Sequence, residues 1–118
     1  MSEVTIFHYN RCSKSRAALD ILEEENITPQ IRIYLEEIPS AEELKTILKK
    51  LDIKAVDLVR KSEAVYKENY KGKDFSEEEW IEIMVKHPRL IQRPIIIKED
   101  KAIIGRPPEL IKDFLADE

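Results

Sequence analysis

The chain has 118 residues, of which 42% are hydrophobic and 37% charged, with a net charge of −4 and one cysteine. That suits a single soluble domain burying roughly two-thirds of its unfolded surface. The acidic balance argues against general nucleic-acid binding. A lone cysteine excludes an internal disulfide and fits the reducing cytoplasm. The N-terminal "MSEVTIF" carries Glu3 and no long apolar run, so it is not read as a signal peptide, and no stretch is long and apolar enough to span a bilayer.

"VTIFHY" (4–9) is short, apolar and β-rich, the pattern of a strand covered on both faces. From Ser13 the period becomes helical, through Ala17, Ala18, Ile21 and Leu22, with Cys12 or Ser13 at the helix start. "NITPQ" (26–30) ends that helix, because Pro29 disfavours helix at the residue before it. "QIRIYL" (30–35) alternates as a second strand, completing a βαβ unit. "PSAEEL" (39–44) opens a helix through a capping box of Ser40 and Glu43, followed by the stripe Leu44, Ile47, Leu48 and Leu51. Residues 56–70 read as one or two short helices, and 71–74 as a loop. Ser76 and Glu79 repeat the capping box ahead of Trp80, Ile81, Ile83, Met84 and Val85, and "HPRLIQRP" (87–94) breaks the helix. "PIIIK" (94–98) and "AIIG" (102–105) flank the turn "EDK" as a β-hairpin, and 106–115 form a last helix with prolines in its first turn. The order is β-α-β, an all-helical stretch from about 40 to 90, then β-β-α. This is one α/β domain over residues 1–118 with a helical insertion.

Cys12 lies in "FHYNRCSKSR", where a strand gives way to a helix. Unpaired N–H groups and the positive end of the helix dipole stabilise an anion there, and Arg11, Lys14 and Arg16 add cationic charge. In open α/β sheets, sites lie at the carboxyl ends of strands. The pattern therefore offers a reactive thiolate facing an anionic substrate. A lone cysteine also serves as a small buried hydrophobe. His8 is positioned to tune Cys12, although its pattern equally suits a satisfied core histidine. Asn10 and Ser15 can hydrogen-bond the sulfur or fill turn and cap roles. Arg60, Arg93 and Arg106 suit forked binding of a tetrahedral oxyanion, but only if the fold gathers them. A tyrosine-phosphatase loop needs arginine at position 18, which is Ala18, and a dithiol motif needs a cysteine at position 15, which is Ser15. One cysteine and two separated histidines give no metal site, so none is expected.

Taken together, "HYNRCSKSR", "YLEEIPS", "LVRKSEAVYKE", "HPRLIQRPIII" and "IGRPPE" resemble the glutaredoxin-dependent arsenate reductase family, in order and over nearly the whole chain. The resemblance implies a thioredoxin-like fold carrying the helical insertion. It implies Cys12 as nucleophile, with His8 near the thiolate and Ser15 in the same loop. It implies Arg60, Arg93 and Arg106 as the oxyanion-holding arginines and Pro94 as the cis proline of such folds. The family commonly reads His-Asn-Pro-x-Cys, where this chain has Tyr9 and Asn10, so the loop lacks proline's fixed φ.

Reducing arsenate to arsenite takes two electrons and turns two thiols into one disulfide. With one thiol in the chain, the second must come from outside; by resemblance it is glutathione, with a glutaredoxin resolving the mixed disulfide. The implied partners are arsenate or another small oxyanion, glutathione and glutaredoxin. No cofactor is expected to be bound, and no nucleic acid or membrane partner; the default is a cytoplasmic monomer. Two other readings use the same residues: a glutathione-linked thiol-redox protein with another substrate, and a protein that contacts RNA polymerase, like a regulator among the family's relatives. That regulator senses oxidation through a Cys-x-x-Cys pair, which Ser15 removes here.

Overall fold

A computed structural model describes residues 3–116; Met1, Ser2, Asp117 and Glu118, the ends of the span read as one domain, lie outside the described residues. The chain forms two compact units, one from residues up to Glu37 and from Arg93 onward, the other from Ile38–Gln92. The second contains the helical insertion expected at about 40–90.

The first unit is built on a four-stranded sheet in the order β2-β1-β3-β4, with β1 at Val4–His8, β2 at Gln30–Ile33, β3 at Ile95–Lys98 and β4 at Lys101–Ile104. β1 pairs in parallel with β2 and antiparallel with β3, which pairs antiparallel with β4. Its interior place explains the continuous apolar run of β1, since both faces are covered. Val4 and Ile6 on β1 and Ile96 on β3 pack against Ala18 and Leu22 of α1 (Ser13–Glu24) and Ile111 and Leu115 of α6 (Leu110–Ala116). Burying each large aliphatic side chain is worth roughly 1.5–3 kcal/mol, so this cluster anchors the unit. Phe7 points to the opposite face and stacks on the fully buried Tyr34, with ring centroids 6.0 Å apart.

Among the boundaries that differ from the sequence reading, three have a physical reason in the structure. β2 ends at Ile33 rather than at position 35, because the Ile33 carbonyl accepts hydrogen bonds from the N–H groups of Glu36 and Glu37 (2.9 and 2.8 Å) and turns the chain. The hairpin turn has two residues, Glu99 and Asp100, rather than three: Lys98 pairs with Lys101, and Glu99 takes φ 58° to close it. The last helix begins at Leu110 rather than near 106. The Pro107 and Pro108 carbonyls accept from the N–H groups of Leu110 and Ile111 (3.1 and 3.0 Å), forming a lead-in before α6.

The second unit contains α2 (Ala41–Leu51), α3 (Ala55–Leu58), α4 (Ala64–Asn69), α5 (Glu77–Lys86) and a 3-10 turn at Pro88–Leu90. Both capping boxes are formed: the Ser40 and Ser76 hydroxyls accept from the N–H groups of Glu43 and Glu79 (3.1 and 3.2 Å), and each glutamate accepts in return. Leu44, Ile47 and Leu48 of α2, Leu58 of α3 and Trp80, Ile81 and Met84 of α5 are buried, so each helix turns its apolar stripe inward. Tyr66, Tyr70 and Phe75 gather around Trp80.

Candidate active site

β1 delivers the chain to a loop whose Cys12 N–H donates to the Tyr9 carbonyl (3.0 Å), and Cys12 becomes the N-cap of α1. The Ser15 and Lys14 backbone N–H groups, in the first turn of the helix, favour the thiolate form of its side chain. Cys12 is 9% exposed. Burial pushes its pKa up, but the Ser15 N–H, the Arg93 side chain, the Lys14 N–H and the Arg93 charge together outweigh it and bring the thiol to about 7. A thiol at that value is half ionised at neutral pH, in the range of reactive cysteines.

The cations at the sulfur are not its sequence neighbours. Arg11, Lys14 and Arg16 are all exposed, and of these only Lys14 bears on the sulfur, through its backbone. Arg93 and Arg106 reach it instead. The Arg106 Nη2 donates to Cys12 Sγ at 3.4 Å, while its Nε donates to the Arg93 carbonyl at 2.6 Å. Arg93 hydrogen-bonds Cys12 from a position only 6% exposed. Its guanidinium lies over the Tyr9 ring, 4.7 Å from the centroid. Burial disfavours the Arg93 charge, yet Tyr34 and Cys12 beside it more than offset that, and its pKa is raised. Arg93 Nε and Nη1 are buried and have no hydrogen-bond partner among the described residues. Buried charged donors normally find acceptors, so these two are set to meet a ligand oxygen.

The backbone around these arginines is close-packed. Arg93–Pro94 is cis, the isomer that the resemblance implies, and Arg106–Pro107 is cis as well. The Gly105 N–H donates to the Pro94 carbonyl at 2.8 Å. A Cβ on Gly105 would meet Ile111 Cδ1 at 3.0 Å and Pro94 Cγ at 3.1 Å, so this position takes glycine for want of space.

Ser15 is fully buried, and its hydroxyl accepts the Tyr9 N–H at 3.3 Å, tying the loop to the first turn of α1. His8 is 4% exposed; burial lowers its pKa, so the ring is neutral at pH 7, with Nδ1 unpartnered among the described residues. Asn10 is exposed. Arg60 belongs to the helical unit, where it follows the Val59–Ile91 bridge; its N–H donates to the Leu90 carbonyl at 2.6 Å, and its Nε lies 4.0 Å from a Glu63 carboxylate oxygen. The sequence reading overlooked Tyr34, and it treated Tyr9 only as a departure from a motif. The one local signal for Tyr34 is a phenol that follows the alternating polar and aliphatic residues of "QIRI".

The ArsC family profile matches residues 7–114, from the strand before Cys12 to the last helix. The chain belongs to the ArsC family. Among its ArsC relatives, the arsenate reductase of Haemophilus influenzae is 43% identical over 114 residues, covering 95% of this chain and 98% of that one. The uncharacterised protein YfgD of Escherichia coli is 41% identical over 115 residues, covering 96% and 97%. The solved structure of an arsenate reductase from Vibrio cholerae aligns with a TM-score of 0.90 at 39% identity, covering 95% of this chain and 97% of that one. The sheet order and the β-α-β, β-β-α arrangement are those of the thioredoxin-like ArsC fold.

Proposed function

We propose that this ArsC protein is a cytoplasmic arsenate reductase that works through Cys12 and an external thiol. The observation that carries the reading is the Cys12 sulfur at the start of α1 with Arg106 Nη2 3.4 Å away and Arg93 beside it, a buried cation whose Nε and Nη1 have no partner among the described residues. Nucleophile and oxyanion ligand thus share one place, as attack on a tetrahedral oxyanion requires. Its relationship to arsenate reductases at about 40% identity over nearly full length supports the oxidoreductase class.

In this reading the Cys12 thiolate attacks arsenic, and one arsenate oxygen leaves as water after protonation. Arg93 and Arg106 hold the remaining oxygens of the thiol–arsenate adduct, arginine being the side chain suited to such forked contacts. Neutral His8 serves as a proton acceptor or donor at the end of β1, and Ser15 keeps the loop in place. Glutathione then attacks the Cys12 sulfur. The arsenic–sulfur electron pair goes to arsenic, arsenite leaves, and Cys12 and glutathione are joined in a disulfide. Two thiols have lost two electrons and arsenic has gained two. A glutaredoxin returns Cys12 to the thiol by exchange.

The test is arsenate-dependent NADPH oxidation with glutathione, glutaredoxin and glutathione reductase, comparing wild type with Cys12→Ser. Turnover by the wild type and none by the variant supports the reading. A Cys12→Ser protein that still turned over would defeat the mechanism. A wild type that exchanges glutathione but ignores arsenate would make this a thiol-redox protein with another substrate.

A further inference from the structure

We propose that Tyr9 and Tyr34 are positioning residues that clamp the Arg93 guanidinium beside the Cys12 sulfur, Tyr9 by stacking on its face and Tyr34 by accepting a hydrogen bond from its edge. The clamp rests on the proposed reduction only where substrate affinity is concerned; its effect on the thiol stands apart from it.

A long cationic side chain buried with unpartnered donors has strong reasons to move toward any acceptor. Arg93 is nevertheless held in place to bond the sulfur while Nε and Nη1 stay free of partners among the described residues. Three contacts account for that. The Tyr9 ring covers one face of the guanidinium at 4.7 Å. The Tyr34 hydroxyl takes a hydrogen bond from it, necessarily as acceptor, because arginine only donates. The Arg93 carbonyl is held by Arg106 Nε at 2.6 Å.

Both tyrosines are themselves fixed. Tyr34 is fully buried and stacks on Phe7 with an interplanar angle of 18°, so its hydroxyl cannot follow a moving arginine. Tyr9 is tied through its N–H to Ser15 Oγ at 3.3 Å, in the loop that presents Cys12. The clamp therefore references Arg93 to both the sheet and the thiolate loop. A phenylalanine would fill the Tyr34 site equally well; the hydroxyl is explained by what it binds.

The test uses Tyr34→Phe, Tyr9→Leu, Tyr9→Phe and the double variant Tyr34→Phe/Arg93→Ala. Two quantities are read: the pH midpoint of Cys12 reactivity toward 4,4′-dithiodipyridine, and KM for arsenate against kcat in the coupled assay. Tyr34→Phe and Tyr9→Leu are each expected to raise the midpoint by about half a pH unit and KM for arsenate by roughly fivefold, with KM for glutathione unchanged. Tyr9→Phe, which keeps the π face, should restore wild-type values. In the Arg93→Ala background, Tyr34→Phe should shift the midpoint no further, because its effect runs through the missing arginine. Unchanged midpoints in Tyr34→Phe and Tyr9→Leu, with native circular dichroism, would overturn the clamp, as would an undiminished Tyr34→Phe shift without Arg93. Should Tyr34→Phe not fold, the Tyr9 pair decides. If the wild type does not reduce arsenate, the proposed function fails while the midpoints still decide the clamp.

Discussion

Replacing Arg93 with alanine isolates what a distant cation does for the Cys12 thiolate. In the wild type the thiol sits at about 7 under the combined pull of the Ser15 and Lys14 N–H groups and the Arg93 hydrogen bond and charge, against burial. Arg93→Ala removes both arginine contributions and leaves the two backbone donors and Arg106. The midpoint should then rise by about one unit. Ionisation at pH 7 falls from half to roughly a tenth, about fivefold. The more basic thiolate is intrinsically about 2.5–3 times more nucleophilic, following a Brønsted slope of about 0.4–0.5. The two effects oppose each other, so the curves cross. Reaction with 4,4′-dithiodipyridine should be about twofold slower in the variant at pH 7, roughly threefold slower at pH 6, and about 2.5–3-fold faster at pH 9.5. Stopped-flow absorbance over that range reads the crossing directly. A variant with the wild-type midpoint, or one slower by a constant factor at every pH, would refute the assignment of Arg93 as a cation that acts on the sulfur alongside Arg106.

Three further outcomes can be checked on stability. The folded Cys12 thiol, at about 7, lies below the value near 8.5 of an unfolded one, so its contribution is complete above the unfolded value and is lost as pH falls through the folded one. Wild type minus Cys12→Ser in urea should therefore gain about 2 kcal/mol between pH 6.5 and 9; a flat difference would count against it. Gly105→Ala places a methyl 3.0 Å from Ile111 Cδ1 and 3.1 Å from Pro94 Cγ. It should cost about 2 kcal/mol, read by calorimetry as a Tm drop of roughly 5–10 °C. Ser76→Ala removes the hydroxyl that accepts the Glu79 N–H and should cost about 1 kcal/mol by urea denaturation.

What the sequence made legible was local. Ser40 with Glu43 and Ser76 with Glu79 mark helix starts because all partners lie within four residues, and the unbroken "VTIFH" announces an interior strand. The anion-stabilising N–H groups at Cys12 were legible for the same reason. The cations were not: proximity in sequence pointed to Arg11, Lys14 and Arg16, which solvent claims, whereas Arg106 reaches the sulfur from 94 residues away. Only the whole-chain resemblance pointed to Arg93 and Arg106 before their positions were seen. Tyr34 stayed hidden because alternation through "QIRIYL" reads as continuing strand, while the turn after Ile33 takes the phenol out of the sheet and buries it.

The β3–β4 hairpin works as a ruler. Arg93 stands two residues before β3 and Arg106 two residues after β4, so the pairing of Ile95 with Ile104 fixes how far apart the two guanidinium stems begin. The turn that sets this pairing, Glu99–Asp100, is at the opposite end of the strands. An added residue in that solvent-exposed turn would touch no functional group, yet a slip of one position would carry one arginine to the other face of the sheet. Turn length at the far end of the hairpin is thereby tied to the spacing of charge around the sulfur, and a neutral-looking insertion there becomes a change in chemistry.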